Sequence, residues 1–140
     1  VKKVFVDTNI LIDLIGNRKP FGKFAVALFE LGEAGKIELY TSSHSIATIH
    51  YLLKKFVSDR ELREILLELA GIVRIIAIDG DIIKRALNSK HKDFEDAVQI
   101  VAAQSIENMS AIVTRNLRDF KGAEIPVFSP DEFVSRASEL

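Results

Sequence analysis

Apolar residues fall in short blocks separated by polar or glycine-containing breaks, and the spacing within each block predicts its conformation. Lys3–Val6 is a short apolar run that stops at Asp7-Thr8-Asn9 and reads as a strand. Ile10 to Ile15 crowds apolar residues into a short helix closed by Gly16, and in Phe24–Glu33 the residues Phe24, Ala27, Leu28 and Leu31 recur at helical spacing. Gly35 breaks that helix before the strand Ile37–Tyr40. Thr41-Ser42-Ser43 offers capping hydroxyls for a helix running to about Phe56, and Ser58-Asp59 caps another with Leu62, Ile65, Leu66 and Leu69 on one face. Arg74–Ile78 is β-rich and too short for a helix. Helices then start at Asp81, through Asn88, and at Asp93, through about Ile106. Strands at Ala111–Val113 and Pro126–Phe128 follow, with a last helix over Asp131–Ala137 after Ser129-Pro130. Strands alternating with helices in this way predict an α/β fold with a mainly parallel sheet covered on both faces. In such sheets the ligand crevice lies beyond the carboxyl ends of the strands.

The chain has 140 residues with no repeat, linker-like or low-complexity stretch, so 1–140 reads as a single domain. Cysteine is absent, which excludes disulfides, thiolate metal sites and thiol nucleophiles. Zinc is not expected either, because His44, His50 and His91 form no ligand-spaced pair. No apolar run reaches the ~20 residues needed to cross a bilayer. The opening Val1-Lys2-Lys3-Val4-Phe5-Val6 is too short and too soon interrupted by Asp7 for a signal peptide, so a cytoplasmic location and no membrane contact are expected. Lys and Arg total 19 against 20 Asp and Glu, a net charge of −1. Any contact with a nucleic acid must therefore come from a local basic rim.

Three polar clusters stand where the crevice is expected. Asp7 follows the first strand with Thr8 and Asn9 beside it; it either aims a carboxylate into the crevice or caps the helix that begins near Ile10. Asp93 and Asp96 are three apart, hence on one face of a helix start, where the first turn favours negative charge. Asp93 also has the character of an N-cap, whereas the apolar run after Asp96 shelters that carboxylate. Asn116 and Asp119 follow the strand Ala111–Val113, and Asp119 either reaches the crevice edge or pairs with Arg115 or Arg118. Carboxylates gathered at one sheet edge repel, and a protein tolerates that when a cation lies between them. Oxygen ligands without Cys or His point to Mg²⁺ or Mn²⁺, which activate water and balance charge in phosphoryl displacement.

Val4-Phe5-Val6-Asp7-Thr8-Asn9-Ile10-Leu11-Ile12-Asp13 resembles the opening of PIN domains, including VapC-type toxins. Asp93-Phe94-Glu95-Asp96-Ala97 resembles the family's central acidic segment, and Val113-Thr114-Arg115-Asn116-Leu117-Arg118-Asp119-Phe120 its closing one. The resemblance implies a PIN-like, Rossmann-like three-layer sandwich with a five-stranded parallel sheet, a Mg²⁺ or Mn²⁺ cofactor and ribonuclease activity. It also implies homodimers and, for toxins, a small antitoxin protein as partner. By position, Asp7 would be the first metal-binding acid and Asp96 the third. Asn116 stands where the family often has Asp, with Asp119 as a substitute, and Thr8, Asn9 and Asp93 would support the set. The departure is at the second position. Thr48 falls where the family places Glu, and no carboxylate exists between Glu38 and Asp59. His44, four residues earlier, would share the face of Thr48, whereas His50 would point about 200° away; the plain alternative is that both are ordinary, partly exposed histidines.

Two functions follow from this reading. The first is a divalent-metal-dependent endoribonuclease, toxin-like, with Asp7, Asp96, Asn116 and Asp119 at the reacting centre, Asp7, Asp96 and Asp119 as metal ligands, and Lys54, Lys55, Arg115, Arg118 and Lys121 as a rim for RNA phosphates. The alternative is a degenerate PIN domain that binds RNA or a protein partner without cutting. A receiver-like phosphate-transfer domain finds no sheet-end Lys in a matching context.

Overall fold

A computed structural model describes residues 1–137. The elements are β1 (Lys2–Val6), α1 (Thr8–Gly16), α2 (Gly22–Glu33), β2 (Ile37–Ser42), α3 (Ser43–Leu53), α4 (Asp59–Ala70), β3 (Arg74–Ile76), α5 (Gly80–Leu87), α6 (Phe94–Gln104), β4 (Met109–Val113), β5 (Val127–Phe128) and α7 (Pro130–Ala137). All four strand pairings are parallel, in the order β3-β2-β1-β4-β5.

Strand residues alternate between two cores, as the two-residue period requires. Val4 and Val6 of β1, Leu39 of β2 and Ala111 and Val113 of β4 face a core shared with α1, α2 and α4. Phe5, Tyr40 and Ile112 face the other, built mainly on α5 and α6. Burial on both faces explains why β1 and β4 read as unbroken apolar runs rather than alternating ones. Central α6 lies against the sheet with Ala97, Ala102 and Ala103 wholly buried; these small residues let the helix approach closely.

Helix starts follow the capping chemistry. Ser42, Ser58, Asp79 and Asp93 accept backbone N–H groups at the heads of α3, α4, α5 and α6. Several boundaries differ from expectation. Strand β2 continues to Ser42, so Thr41 and Ser42 belong to the sheet, and α3 ends at Leu53 rather than Phe56. Helix α5 is capped by Asp79, not begun by Asp81. Asn17, in the left-handed region at φ 45°, ends α1 in place of Gly16.

The sheet order reverses at β1, between β2 on one side and β4 on the other, and the crevice opens there. The adjoining α1–α2 corner is tight: a Cβ on buried Gly22 would lie 2.9 Å from the Asn17 carbonyl carbon and 2.7 Å from its Oδ1. Backbone cannot swing aside as a side chain can, so Gly22→Ala should lower stability by about 1–3 kcal/mol. Urea unfolding would read it, and a midpoint at or above wild type would contradict the packing described.

Candidate functional site

Asp7 ends β1 and begins α1, so one residue serves the strand, the cap and the crevice. Its N–H donates to Val113 O at 3.0 Å, which ties the carboxyl ends of β1 and β4 together. Its carboxylate is buried, 6% exposed, and collects donors from three parts of the chain. Oδ1 accepts the Thr8 N–H at 2.8 Å and lies 3.3 Å from Gln99 Nε2. Oδ2 accepts the Thr114 hydroxyl at 2.8 Å and Asn9 Nδ2 at 3.2 Å. Burial pushes the Asp7 pKa up, against the lowering effect of the Thr114, Gln99 and Thr8 hydrogen bonds and of Arg115.

Gln99 lies one turn after Asp96 on α6, on the same face, and is 2% exposed. Its Nε2 also reaches Ser45 Oγ at 2.6 Å and Thr8 Oγ1 at 3.2 Å, while Oε1 accepts the Ser42 hydroxyl at 2.5 Å. Thr8 and Ser45 share a further hydrogen bond of 2.7 Å. The buried amide thus joins α1, α3 and α6 behind Asp7. Sequence reasoning passed over Gln99 and Ser45, and read Ser42 only as a candidate helix cap. The available signal was a lone amide in the otherwise apolar stretch Ala97–Ala103.

A cleft of about 240 Å³ lies in front of this network, lined by Asp7, Thr8, Asn9, Thr48, Asp96 and Asn116, with His44, Glu95, Ile12 and Leu52 at its sides. Asn116 Nδ2 stands 3.3 Å from Asp96 Oδ2 and donates to Asp119 Oδ2 at 2.8 Å. Asp119 is exposed and lines the neighbouring cavity; its partner is Asn116, not Arg115 or Arg118. Asp93 caps α6 through the Asp96 N–H at 3.0 Å and lines that same neighbouring cavity. Asp96 has its pKa pushed up to about 7, first by burial and then by the charges of Asp7, Asp93 and Asp119.

Thr48 faces the cleft, with its hydroxyl 3.4 Å from His44 Nε2. His44 Nε2 is also 4.0 Å from the Glu95 carboxylate across the opening, so Glu95, not singled out in the sequence, brings a further carboxylate to the mouth. His50 points the other way and bonds Asp59 at 2.8 Å. Of the expected basic rim, Lys54 lies over the Tyr51 ring at 4.7 Å and Lys55 is exposed beside it. Arg118 and Lys121 line the neighbouring cavity. Arg115 is committed elsewhere: Nε and Nη2 donate to buried Asp13 at 2.6 and 3.2 Å, and the guanidinium stacks on Phe21 at 4.1 Å. Asp13, 1% exposed, is another residue that sequence reasoning did not single out.

Among the described residues no three His, Cys, Asp or Glu side chains are grouped as a metal cage. The cleft's donors are mainly oxygens: the carboxylates of Asp7 and Asp96, with Glu95 at the mouth, the amides of Asn9 and Asn116, and the hydroxyls of Thr8 and Thr48. That set suits Mg²⁺ or Mn²⁺, since Mg²⁺ is commonly held by one or two carboxylates, waters and substrate phosphate rather than by an all-protein cage.

The raised pKa of Asp96 has a consequence for stability without metal. Between the ordinary carboxylate value near 4 and about 7, the folded protein holds a proton that the unfolded chain has released. Stability in EDTA should therefore be greatest at the acid side of this window and fall as pH rises through it. Asp96→Asn should flatten the decline and raise the melting temperature at about pH 8. Scanning calorimetry from about pH 5 to 8 measures both; parallel profiles for the two proteins would remove Asp96 as the source.

The geometry agrees with what the chain is similar to. Residues 3–118 match the family model of the PIN domain. The chain is 30% identical over 144 residues to Ribonuclease VapC1 of Aquifex aeolicus (strain VF5), an alignment covering 99% of this chain and 98% of the relative. A toxin–antitoxin complex from Klebsiella pneumoniae contains a chain 30% identical to this one, with a TM-score of 0.65 over 91% of this chain and 97% of that one. VapBC2 from Rickettsia felis, bound to a DNA fragment from its promoter, is 16% identical with a TM-score of 0.66 over 91% and 98%, and shares the fold. With its sheet order, its acidic crevice at the β1–β4 switch and a matching family model over most of its length, the chain belongs to the PIN-domain family.

Proposed function

We propose that the protein is a divalent-metal-dependent endoribonuclease of the toxin type, acting in the cytoplasm and held in check by a small antitoxin protein. The observation that carries this reading is the convergence of Asp7, Asp96 and Asn116 on one cleft at the sheet's switch point. The relationship to a ribonuclease over nearly the whole chain, and to a protein in a toxin–antitoxin complex, supports the substrate class and the partner.

Asp7 and Asp96 would hold Mg²⁺ or Mn²⁺. The ion, when bound, supplies activation of water and neutralisation of charge on the phosphate under attack. The chain's own residues do the rest. Thr114, Asn9, Gln99 and the Thr8 N–H fix the Asp7 carboxylate, so its position needs no reorganisation when a phosphate arrives. Asn116 fixes Asp96 from the side and connects it to Asp119. His44 and the Thr48 hydroxyl flank the remaining opening, where either can donate to a phosphate oxygen. A second reading, a PIN domain that binds without cutting, draws on Thr48, which leaves the family's second acidic position neutral.

Metal titration by calorimetry beside a gel assay on mixed RNA separates the two. Mn²⁺ should support cleavage better than Mg²⁺, because it binds a given set of N and O ligands more tightly and accepts irregular geometry, whereas Mg²⁺ demands a near-ideal octahedron. Asp7→Asn should abolish cleavage. Thr48→Glu should tighten Mn²⁺ binding on the order of ten-fold, by adding a charge at close range. Neither metal binding in the millimolar range nor cleavage by the wild type would leave only the binding module.

A further inference from the structure

Beside the acidic cleft lies a second cavity of about 290 Å³, of opposite character. One wall is the α5–α6 connection, with Lys90, His91 and Lys92; the other is the loop after β4, with Arg118 and Lys121. Four permanent cations around one opening is a marked local excess in a chain whose net charge is −1.

These cations are available. Among the described residues every other arginine has a carboxylate or an aromatic ring beside it; Arg118 has neither. Lys90, Lys92 and Lys121 likewise have no carboxylate within 4 Å among the described residues, and all three are exposed. The two acids on the cavity wall are engaged with the neighbouring cleft: Asp93 caps α6 at the Asp96 N–H, and Asp119 accepts from Asn116. The wall is also closely fitted. The His91 ring lies against Gly122, where a Cβ would meet its Cε1 at 3.1 Å.

The two cavities adjoin through Asn116, whose amide reaches Asp96 in the cleft and Asp119 on the basic side. An acidic cleft repels the strand it is to cut, so affinity for a polyanion has to come from beside it. We propose that the Lys90–Lys92 and Arg118–Lys121 cavity is the subsite that holds a backbone phosphate of single-stranded RNA next to the phosphate at Asp7 and Asp96. The proposal rests on the ribonuclease reading and adds a direction to it: the strand leaves the cleft over Asn116 and Asp119. Arg115, paired with Asp13, takes no part.

The test is fluorescence anisotropy with a short labelled single-stranded RNA of mixed sequence in EDTA, followed by cleavage kinetics in Mn²⁺. Lys90→Gln/Lys92→Gln is compared with Lys2→Gln/Lys36→Gln, an equal loss of charge at the amino ends of β1 and β2, away from the crevice. The first pair should weaken RNA binding by about ten-fold or more and lower the slope of log affinity against log salt by about 1.4, two contacts at roughly 0.7 each. It should raise KM with little change in kcat, and Lys121→Glu should do the same. The control pair should stay within about two-fold of wild type. Cleavage with unaltered KM in both cavity variants would overturn the subsite and leave the ribonuclease reading in place. Binding that depends on Lys90 and Lys92 without any cleavage in Mn²⁺ would do the reverse. Equal losses in the cavity and control pairs, or no RNA binding by the wild type, would overturn the subsite as well.

Discussion

A carboxylate taken out of water at the end of a central strand sets the terms for everything around it. Asp7 is almost wholly buried, and a buried charge is tolerable only where donors replace its lost hydration. Those donors come from the head of α1, from α6 and from the residue after β4. Gln99 is held in turn by Ser42 and Ser45, Thr8 by Ser45, and Thr114 by its N–H to Phe128 O of β5. Among the described residues no buried polar side-chain atom is left without a partner. The network is complete, yet burial still outweighs its donors and raises the Asp7 pKa. A site that is hydrogen-bonded in full and still uncomfortable with its charge is one in which a bound cation changes the balance most.

A second buried carboxylate anchors the other wall. Asp13 sits one and a half turns along α1 from the site and grips Arg115 by two hydrogen bonds, with Arg18 3.9 Å away. Arg115 lies between Thr114, which bonds Asp7, and Asn116, which contacts Asp96. Fixing the arginine therefore fixes its two neighbours, which point toward different aspartates. Phe21, from the start of α2, stacks on the guanidinium and brings the tight α1–α2 corner into the same assembly. The guanidinium's planar fork suits this bidentate, stacked role, which a lysine could not reproduce.

Much of this was legible in the sequence, for identifiable reasons. Buried parallel strands announce themselves as short apolar runs, and helix heads as Ser or Asp before an apolar period, so the element order could be read directly. The two readings offered for Asp7 and for Asp93 were not exclusive: both are helix caps, and both also stand at the crevice or beside it. The family resemblance placed Thr48 toward the cleft, and helical spacing then turned His50 away from it. What could not be read was partnership across distance. The apolar stretch around Gln99 marks it as buried but does not say which groups it joins, and nothing local shows that Asp13 lies against Arg115, 102 residues later. Arg115 looked like surface rim because its charge is visible in a sequence and its partner is not. Element ends drifted where the hydrogen bonds decide, as at Leu53, where α3 stops although Phe56 and Val57 follow just beyond Lys54 and Lys55.

The neutral residue at the second acidic position can be understood from the same charge balance. Burial and three neighbouring aspartates already carry the pKa of Asp96 to about 7. A glutamate in place of Thr48 would add another negative charge to that cleft and raise the cost of keeping it empty. With Thr48 the protein tolerates its metal-free state better, at the expense of affinity for the ion. On the proposed reading the remaining ligands are supplied by water and by the substrate phosphate, as is common for Mg²⁺. Ion and RNA then reinforce each other's binding, since each screens charge that would repel or strand the other. The basic cavity beyond Asn116 fits this arrangement, because a strand anchored there brings its next phosphate toward the two aspartates and helps complete the shell that they leave open.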